Sequence, residues 1–235
     1  ICEPIIPPPD IVRFPLDGNA YVGYEDRLTS SDFDYNDFGM KMELEETYAD
    51  GILQSVFMKF TAVVNDAGDV HDIHIARPYK GDYVYTITRS VPAVGTETAA
   101  GTDLLGSGNF DIVLFDTGNF PGMTGPDLTA SVTIEITMDE ANNQNLLTDY
   151  GIAPRFDLDS VFSLYNPYMA NRTQVGSILL TSMFEIEPGV NAPLILVVPK
   201  TDWIPPAEGV NIATVYGDFI NYYDTELAVY EDWFI

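Results

Sequence analysis

The stretch FGMKMEL, residues 38–44, alternates apolar side chains with glycine or charged side chains at every step. Side chains of a β-strand point to opposite faces in turn, so this two-residue period predicts a strand with one buried and one solvent-facing side. Val56, Met58 and Phe60 repeat the pattern a little further along the chain. Both segments are expected to be half-buried strands.

Further strands are predicted from runs of Val, Ile, Thr and aromatic residues bounded by Gly, Pro, Asn and Asp. They cover residues 69–76, 83–90, 110–115, 131–138, 161–165, 177–183 and 194–198. Strands at this density predict an all-β fold, a two-sheet β-sandwich. Apolar residues at three- and four-residue spacing after Asn211 predict one short C-terminal helix over residues 211–224. Residues 92–108, rich in Gly, Thr and Ala, predict a long surface loop.

The composition bounds the possible partners. The chain has 235 residues, 46% of them apolar, so it can bury a core as one large β domain or two small ones. It carries 10 basic and 36 acidic residues, a net charge of −26. This self-repulsion opposes compaction, so bound cations, ambient salt or both are expected to offset it. Nucleic acid is not expected as a partner, because phosphate binding needs clustered Lys and Arg. No membrane-spanning segment is expected, since no apolar run reaches about 18 residues.

The turn before the first alternating strand is crowded with carboxylates. Asp32, Asp34 and Asn36 alternate as the first ligands of a calcium loop do, and calcium takes about six to eight oxygen ligands. An EF-hand is not predicted, because Asp37 replaces the required Gly and a strand pattern follows. Two alternatives remain, a Ca²⁺ site and an acidic solvated turn capped by its own side chains. The predicted metal ligands are Asp32, Asp34, Asn36 and Asp37, helped by Glu25 or Asp26.

A second D-x-D pair occurs at Asp157 and Asp159. It could hold another ion or complete the first site from a neighbouring strand. A surface turn is the alternative for this pair.

The same acidic stretch resembles a known family. Tyr24-Glu25-Asp26 followed by DFDYND at residues 32–37 is similar to the F-E-D…G-D-Y-D-F-N-D signature of the LruC domain, a family of bacterial surface proteins. APLILVVP at residues 192–199 resembles its P-W-A-L-x-x-P strand without the Trp. The end of the chain, from PAE at residues 206–208 to DWF at residues 232–234, resembles its P-x-E…D-W-Y ending. The resemblance brackets residues 24–235, although Ser31 replaces a Gly and residues 178–180 replace an I-H-L strand.

The resemblance implies a location and a domain division. LruC members look like secreted or lipid-anchored envelope proteins that carry this module, so an extracellular or cell-surface location is expected. No catalytic activity follows from the family. The chain is accordingly divided into a Pro-rich N-terminal arm, residues 1–20, and an LruC-like β-sandwich domain, residues 21–235.

The sequence also lacks the common catalytic motifs. It has no G-x-S-x-G elbow, no P-loop and no G-x-G-x-x-G after a strand. His71 and His74 are the only histidines and, three apart on a strand, face opposite sides, so they are not expected to share a zinc ion. Carboxylate pairs such as Glu135 and Asp139 arise by chance among so many acids. The chain is predicted to have no catalytic residues and not to be an enzyme.

Two apolar segments are candidates for partner binding. The Pro-rich arm cannot lie inside a central strand, yet its apolar residues need cover, either from an edge of its own domain or from a neighbouring subunit. Aromatic residues near the C-terminus either stack on sugars, pack against a subunit or belong to the core. The candidate residues are Ile5, Ile6, Ile11, Val12, Tyr222, Tyr230 and Trp233.

These features predict a calcium-binding extracellular structural or assembly subunit of a bacterium, such as a filament, sheath or surface-layer component. Its partners would be further copies of itself or another surface protein. The alternative is a carbohydrate-binding or adhesion module that binds polysaccharide.

Because the chain starts at Ile1 rather than Met, an upstream segment is expected. Cys2, the single cysteine, is interpreted as a free thiol or the remnant of a lipidation site.

Overall fold

A computed structural model describes residues 10–26, 32–91, 95–103, 109–118, 125–126, 128–147, 165–173, 176–179, 182–187, 190–200 and 202–224. Within these residues the chain forms strands and two short helices. The elements are β1 Asp10–Phe14, β2 Ala20–Tyr24, β3 Phe38–Ala49, β4 Ile52–Asn65, β5 His71–Pro78, β6 Tyr83–Val91, β7 Gly95–Asp103, β8 Asn109–Asp116, β9 Gly125–Pro126, β10 Ser131–Met138, β11 Asn166–Asn171, β12 Gly176–Ile178, β13 Met183–Glu187, β14 Val190–Pro193, β15 Ile195–Val198, α1 Ile212–Val215 and α2 Phe219–Asp224.

The strands form two larger antiparallel sheets and a small hairpin. The large sheet has the order β15-β2-β3-β4-β10-β6-β7, with β1 paired to β3 and β9 to β4. The small sheet has the order β12-β11-β5-β8, and β13 pairs with β14. Strand accounts for 58% of the structure and helix for 6%, so the predicted all-β sandwich is confirmed.

The core lies between the two larger sheets. Phe38 on β3 meets Phe115 on β8 with their ring centroids 5.6 Å apart, which joins one sheet to the other. Met40, Met42 and Leu44 follow Phe38 on the same face of β3 and are all buried. The alternation of residues 38–44 therefore predicted the buried face of this strand correctly.

Several segments differ from the prediction. The strand expected over residues 177–183 is interrupted, since β12 ends at Ile178 and β13 begins at Met183, and residues 161–164 of another expected strand lie outside the described residues. The helix expected over residues 211–224 is divided into α1 and α2, although Asn211 does cap α1 by accepting a hydrogen bond from the N–H of Ala213 at 2.9 Å. The surface loop expected over residues 92–108 contains strand β7, which pairs with β6 from Gly95 to Asp103. Its backbone pairs with the edge of β6 along its whole length.

The described part of the Pro-rich arm belongs to the sandwich. Strand β1 pairs antiparallel with β3 of its own chain, from Asp10 opposite Tyr48 to Phe14 opposite Leu44. It lies on the same edge of β3 as β2, which pairs further along that strand. Over these five residues β1 occupies an edge position of its own domain, with β3 on one side of it, and pairing of the arm with a neighbouring subunit stays a prediction. The edge-strand alternative is the observed one.

A buried ion pair also connects the two sheets. Arg77 of β5 and Glu46 of β3 are fully buried, and Nη1 of Arg77 donates to Oε1 of Glu46 and to the hydroxyl of Tyr165. The hydroxyl of Tyr165 donates to Glu46 at 2.9 Å, and that of Tyr48 donates to its other oxygen at 3.0 Å. The guanidinium lies 4.5 Å from the ring centroid of Tyr79. Both charges are therefore paired inside the core.

Candidate cation site

Glu25 lies at the centre of the candidate site, directly after β2. Its N–H donates to the carbonyl of Leu194 at 2.9 Å, which continues the pairing of β2 beyond its last residue. Its side chain is fully buried. Oε1 accepts a hydrogen bond from the N–H of Tyr35 at 2.6 Å, and Oε2 accepts one from the N–H of Phe33 at 3.3 Å. The carboxylate is thereby fixed beneath the loop that leads into β3.

This loop is held in an unusual backbone conformation. Phe33 and Tyr35 have φ values of 56° and 55°, the left-handed region that non-glycine residues rarely adopt. Such residues persist only where surrounding contacts determine the conformation. Both rings are buried, and the Tyr35 hydroxyl donates to the carbonyl of Pro193 at 2.7 Å. The rings anchor the loop in the core while its backbone amides turn towards Glu25.

Three carboxylates converge at this loop. Glu25, Asp32 and Asp34 each offer one oxygen, and these oxygens all lie within 4.8 Å of one another. Oδ2 of Asp34 accepts a hydrogen bond from the N–H of Gly209 at 2.7 Å, and Oδ1 accepts one from the N–H of Asn36 at 3.3 Å. Asp34 is buried, whereas Asp32 is exposed. The cluster thus has a buried base and one side open to solvent.

Asn36 offers a further oxygen in the same loop. Its Nδ2 donates to the carbonyl of Pro206 at 3.2 Å, which orients the amide. Its Oδ1 is buried and has no hydrogen-bond donor among the described residues. Buried acceptors normally have a partner, so this oxygen is available to an ion or a water molecule.

The electrostatics of the site favour a bound cation. Burial, together with the charges of Asp37, Asp34 and Asp32, raises the pKa of Glu25 to about 9, although the hydrogen bond from the N–H of Tyr35 acts in the opposite direction. Burial likewise raises the pKa of Asp34 to about 6 and that of Asp37 to about 8. A cation among these groups would oppose all three shifts, because it stabilises the ionised form.

The donor set is made of oxygen atoms. Hard divalent cations take carboxylate, carbonyl and water oxygens, so this cluster can hold a metal ion. The open side at Asp32 leaves room for water ligands to complete the coordination.

The predicted ligands divide into two groups. Glu25, Asp32 and Asp34 converge, and Asn36 lies in the same loop. Asp37 instead accepts a hydrogen bond from the N–H of Asp26 at 2.7 Å on its Oδ2. Asp26 itself lies with Asp69 and His71 in a second polar cluster. The second predicted pair, Asp157 and Asp159, lies outside the described residues.

Two groups that reach the site come from distant parts of the chain, and the sequence did not predict them. Gly209 binds Asp34 through its backbone N–H, and Pro206 binds Asn36 through its carbonyl. Backbone groups carry no side-chain signal, so no local pattern could have identified them. The one sequence feature that pointed to them is the PAE segment, residues 206–208, which includes Pro206, lies next to Gly209 and resembles the LruC ending.

The prediction that the two histidines do not share a zinc ion agrees with their surroundings. His71 is fully buried, with Nε2 3.4 Å from Oδ2 of Asp26. His74 lies on the other face of β5, with Nδ1 3.0 Å from Oδ1 of Asp111 and its ring stacked on Tyr168.

Gly23 allows the loop to approach β2 closely. A Cβ atom at this position would lie 2.6 Å from the carbonyl oxygen of Tyr35 and 2.7 Å from Cε1 of Tyr21. Gly23→Ala should therefore displace the loop, lower the free energy of unfolding by about 1–3 kcal/mol and weaken cation binding. Urea denaturation and calcium titration measure the two effects. Gly68→Ala is the control, because its Cβ would meet open space; equal behaviour of the two variants would contradict the close approach.

The candidate partner-binding residues are only partly described. Ile11 on β1 is 47% exposed, whereas Val12 and Tyr222 are half-buried and pack against the core. The core alternative is therefore observed for Tyr222. The remaining four candidates, Ile5, Ile6, Tyr230 and Trp233, lie outside the described residues.

Comparisons with known proteins support the fold. No family model matches the chain, and no curated protein matches it. A crystal structure from Bacteroides ovatus, provisionally described as that of a lipoprotein, is similar with a TM-score of 0.55 and 10% sequence identity. The match covers 95% of this chain and 74% of that one. At this identity it supports the fold alone, and the LruC resemblance stays a prediction.

Neither helix of the described residues has the length and apolar character needed to cross a membrane.

Proposed function

We propose that this chain is a non-enzymatic module of a bacterial cell-envelope or surface protein that binds calcium through Glu25, Asp32 and Asp34. The observation that carries the proposal is a fully buried Glu25 that faces two further carboxylates. The resemblance to LruC domains and the lipoprotein description of the Bacteroides ovatus structure support the location.

Calcium fits this cluster better than other common divalent ions. Magnesium keeps several waters and is bound through one or two protein carboxylates, fewer than this loop offers. Zinc favours nitrogen and sulfur ligands, and the cluster of Glu25, Asp32 and Asp34 offers neither. A hard, larger ion with flexible coordination accommodates three carboxylates, the Asn36 oxygen and water.

The ion would have a structural role. It would bind residues on both sides of the loop, and the loop in turn contacts the segment at Pro206 and Gly209. It would also neutralise charge in a chain of net charge −26. No step of a reaction is assigned to it.

The calcium proposal is tested with Asp34→Asn, which preserves shape but removes charge. We expect the wild type to melt at a higher temperature with calcium than with chelator, because a ligand of the native state adds stability by mass action, about 2.7 kcal/mol at a hundredfold excess over Kd. Asp34→Asn should lose most of this shift, as measured by calorimetry. Asp10→Asn is the control, since Asp10 is exposed on β1. Equal wild-type melting with calcium and with chelator would show that the turn is merely acidic.

We also propose that the module associates with further copies or with another surface protein. The charge of −26 opposes self-association unless cations neutralise or screen it. Sedimentation velocity should accordingly give a monomer in chelator and larger species with calcium. A monomer under both conditions would favour the carbohydrate-binding alternative, whose candidate platform includes Tyr230 and Trp233.

A further inference from the structure

A second polar cluster lies beside the proposed calcium site. Asp26, Asp69 and His71 each offer one ligand atom, and these atoms all lie within 4.8 Å of one another. Asp26 follows β2 of the large sheet, whereas His71 is the first residue of β5 in the small sheet. The cluster therefore bridges the two sheets at one end of the sandwich.

The imidazole of His71 has no hydrogen-bond partner in this cluster among the described residues. Its side chain is fully buried, and neither Nδ1 nor Nε2 makes a hydrogen bond within the described residues. Nε2 lies 3.4 Å from Oδ2 of Asp26 without forming a hydrogen bond. Leaving a buried polar group without a partner destabilises the native state, so native proteins rarely contain one. A ligand bound between the two side chains would provide that partner.

The separation of these two atoms fits a shared metal ion. Two ligand atoms that each lie about 2.1 Å from a tetrahedral ion are about 3.4 Å apart. Nε2 of His71 and Oδ2 of Asp26 have this separation. A nitrogen with two carboxylates suits zinc and related transition-metal ions, whereas calcium takes oxygen ligands. The half-buried Asp69 leaves a side from which water can occupy a fourth position.

Neighbouring groups hold the Asp69 side chain and the backbone of Asp26 and His71 in place. Nδ2 of Asn171 donates to Oδ2 of Asp69 at 3.1 Å and to the carbonyl of Asp26 at 3.3 Å. The N–H of His71 donates to Oγ1 of Thr117 at 2.8 Å. Metal sites typically have such outer contacts, which orient the ligands before the ion binds.

We propose that Asp26, Asp69 and His71 bind a zinc-type divalent ion at a site separate from the calcium cluster. The ion ties the end of β2 to the start of β5 and supplies the partner that the buried imidazole lacks. Its role is to clamp the two sheets together where the acidic loop leaves the large sheet.

The test uses Co²⁺, whose visible absorption reports tetrahedral coordination and which Zn²⁺ displaces. Calcium is kept saturating to occupy the oxygen cluster, and Cys2→Ser is the background so that a thiol cannot bind the metal. We expect one Co²⁺ per chain, displaced by Zn²⁺ but not by additional calcium. Asp69→Asn should weaken Co²⁺ binding at least about tenfold, and Asn171→Ala should weaken it by about 10–100-fold by loosening Asp69.

The controls separate this site from general binding to acidic groups. His74→Gln is the matched control for His71→Gln, because His74 lies on the opposite face beside Asp111. The first should bind Co²⁺ as the parent does, and the second should not. If His71→Gln fails to fold, Asp69→Asn gives the decision, since Asp69 is only half-buried. Asp69→Asn should keep the calcium-induced melting shift. Equal Co²⁺ binding by the parent and Asp69→Asn, or no Co²⁺ binding by the parent, would overturn the proposal.

Discussion

Replacing Arg77 with methionine should lower the free energy of unfolding by about 3–5 kcal/mol. The substitution leaves Glu46 fully buried between the sheets without its cation. The Tyr48 hydroxyl would still donate to Glu46, but a hydroxyl cannot neutralise a buried carboxylate. Urea denaturation at neutral pH, monitored by tryptophan fluorescence, measures the loss.

Two companion variants distinguish pairing from simple packing. Glu46→Leu with Arg77→Met removes both charges and should recover most of the lost stability, because a well-packed apolar pair replaces a buried ion pair at little cost. Arg13→Met breaks an exposed pair, since Arg13 lies 2.8 Å from Glu45 on the same two-strand register, and should cost at most about 1 kcal/mol. If Arg77→Met lowered the free energy of unfolding by a similarly small amount, the buried ion pair would not be important for holding the two sheets together.

The second large effect is a fall in stability with rising pH when divalent cations are removed. Burial raises the pKa of Glu25 to about 9, that of Asp37 to about 8 and that of Asp34 to about 6. In the unfolded chain the same groups ionise near their usual pKa, about 4. Between these values the native state holds more protons than the unfolded state, so unfolding becomes easier as pH rises. The stability contributed by the protonated groups is complete below about pH 4 and is lost progressively towards about pH 9.

Calcium should suppress this fall, since the ion stabilises the ionised carboxylates and releases their protons on binding. Melting temperatures across this pH range, in chelator and in calcium, give the two profiles. Glu25→Gln mimics the protonated acid, so it should flatten the chelator profile and remove much of the calcium effect. Glu135→Gln is the isosteric control on the exposed face of β10. A flat wild-type profile in chelator would contradict the buried-carboxylate account.

Local sequence patterns predicted the parts of the fold that depend on side-chain burial. The alternation from Phe38 to Leu44 identified one face of β3, because each apolar residue there fills the core. Strand β7 was missed because its small residues carry no such signal, and it forms by backbone pairing with β6. The predicted helix is divided in two because Tyr216 is not helical and serves as the C-cap of α1.

The candidate site was predictable only where its residues are neighbours in sequence. The alternate spacing of Asp32 and Asp34 predicted them as ligands, and Glu25 was predicted because it lies in the same acidic stretch. The sequence could not predict which of the remaining acidic residues join this cluster and which lie elsewhere. Asp26 turns towards His71 because β5 of the other sheet begins beside it, and such proximity depends on tertiary structure alone.

The hydrogen bond from Gly209 to Asp34 spans 175 residues of chain. Closing so long a loop carries a large entropic cost, which the sandwich as a whole has to offset before the two groups can meet. The contact therefore joins two distant parts of the chain at the carboxylate cluster. A calcium ion bound at Asp34, as proposed, would therefore oppose the separation of these two parts of the folded chain.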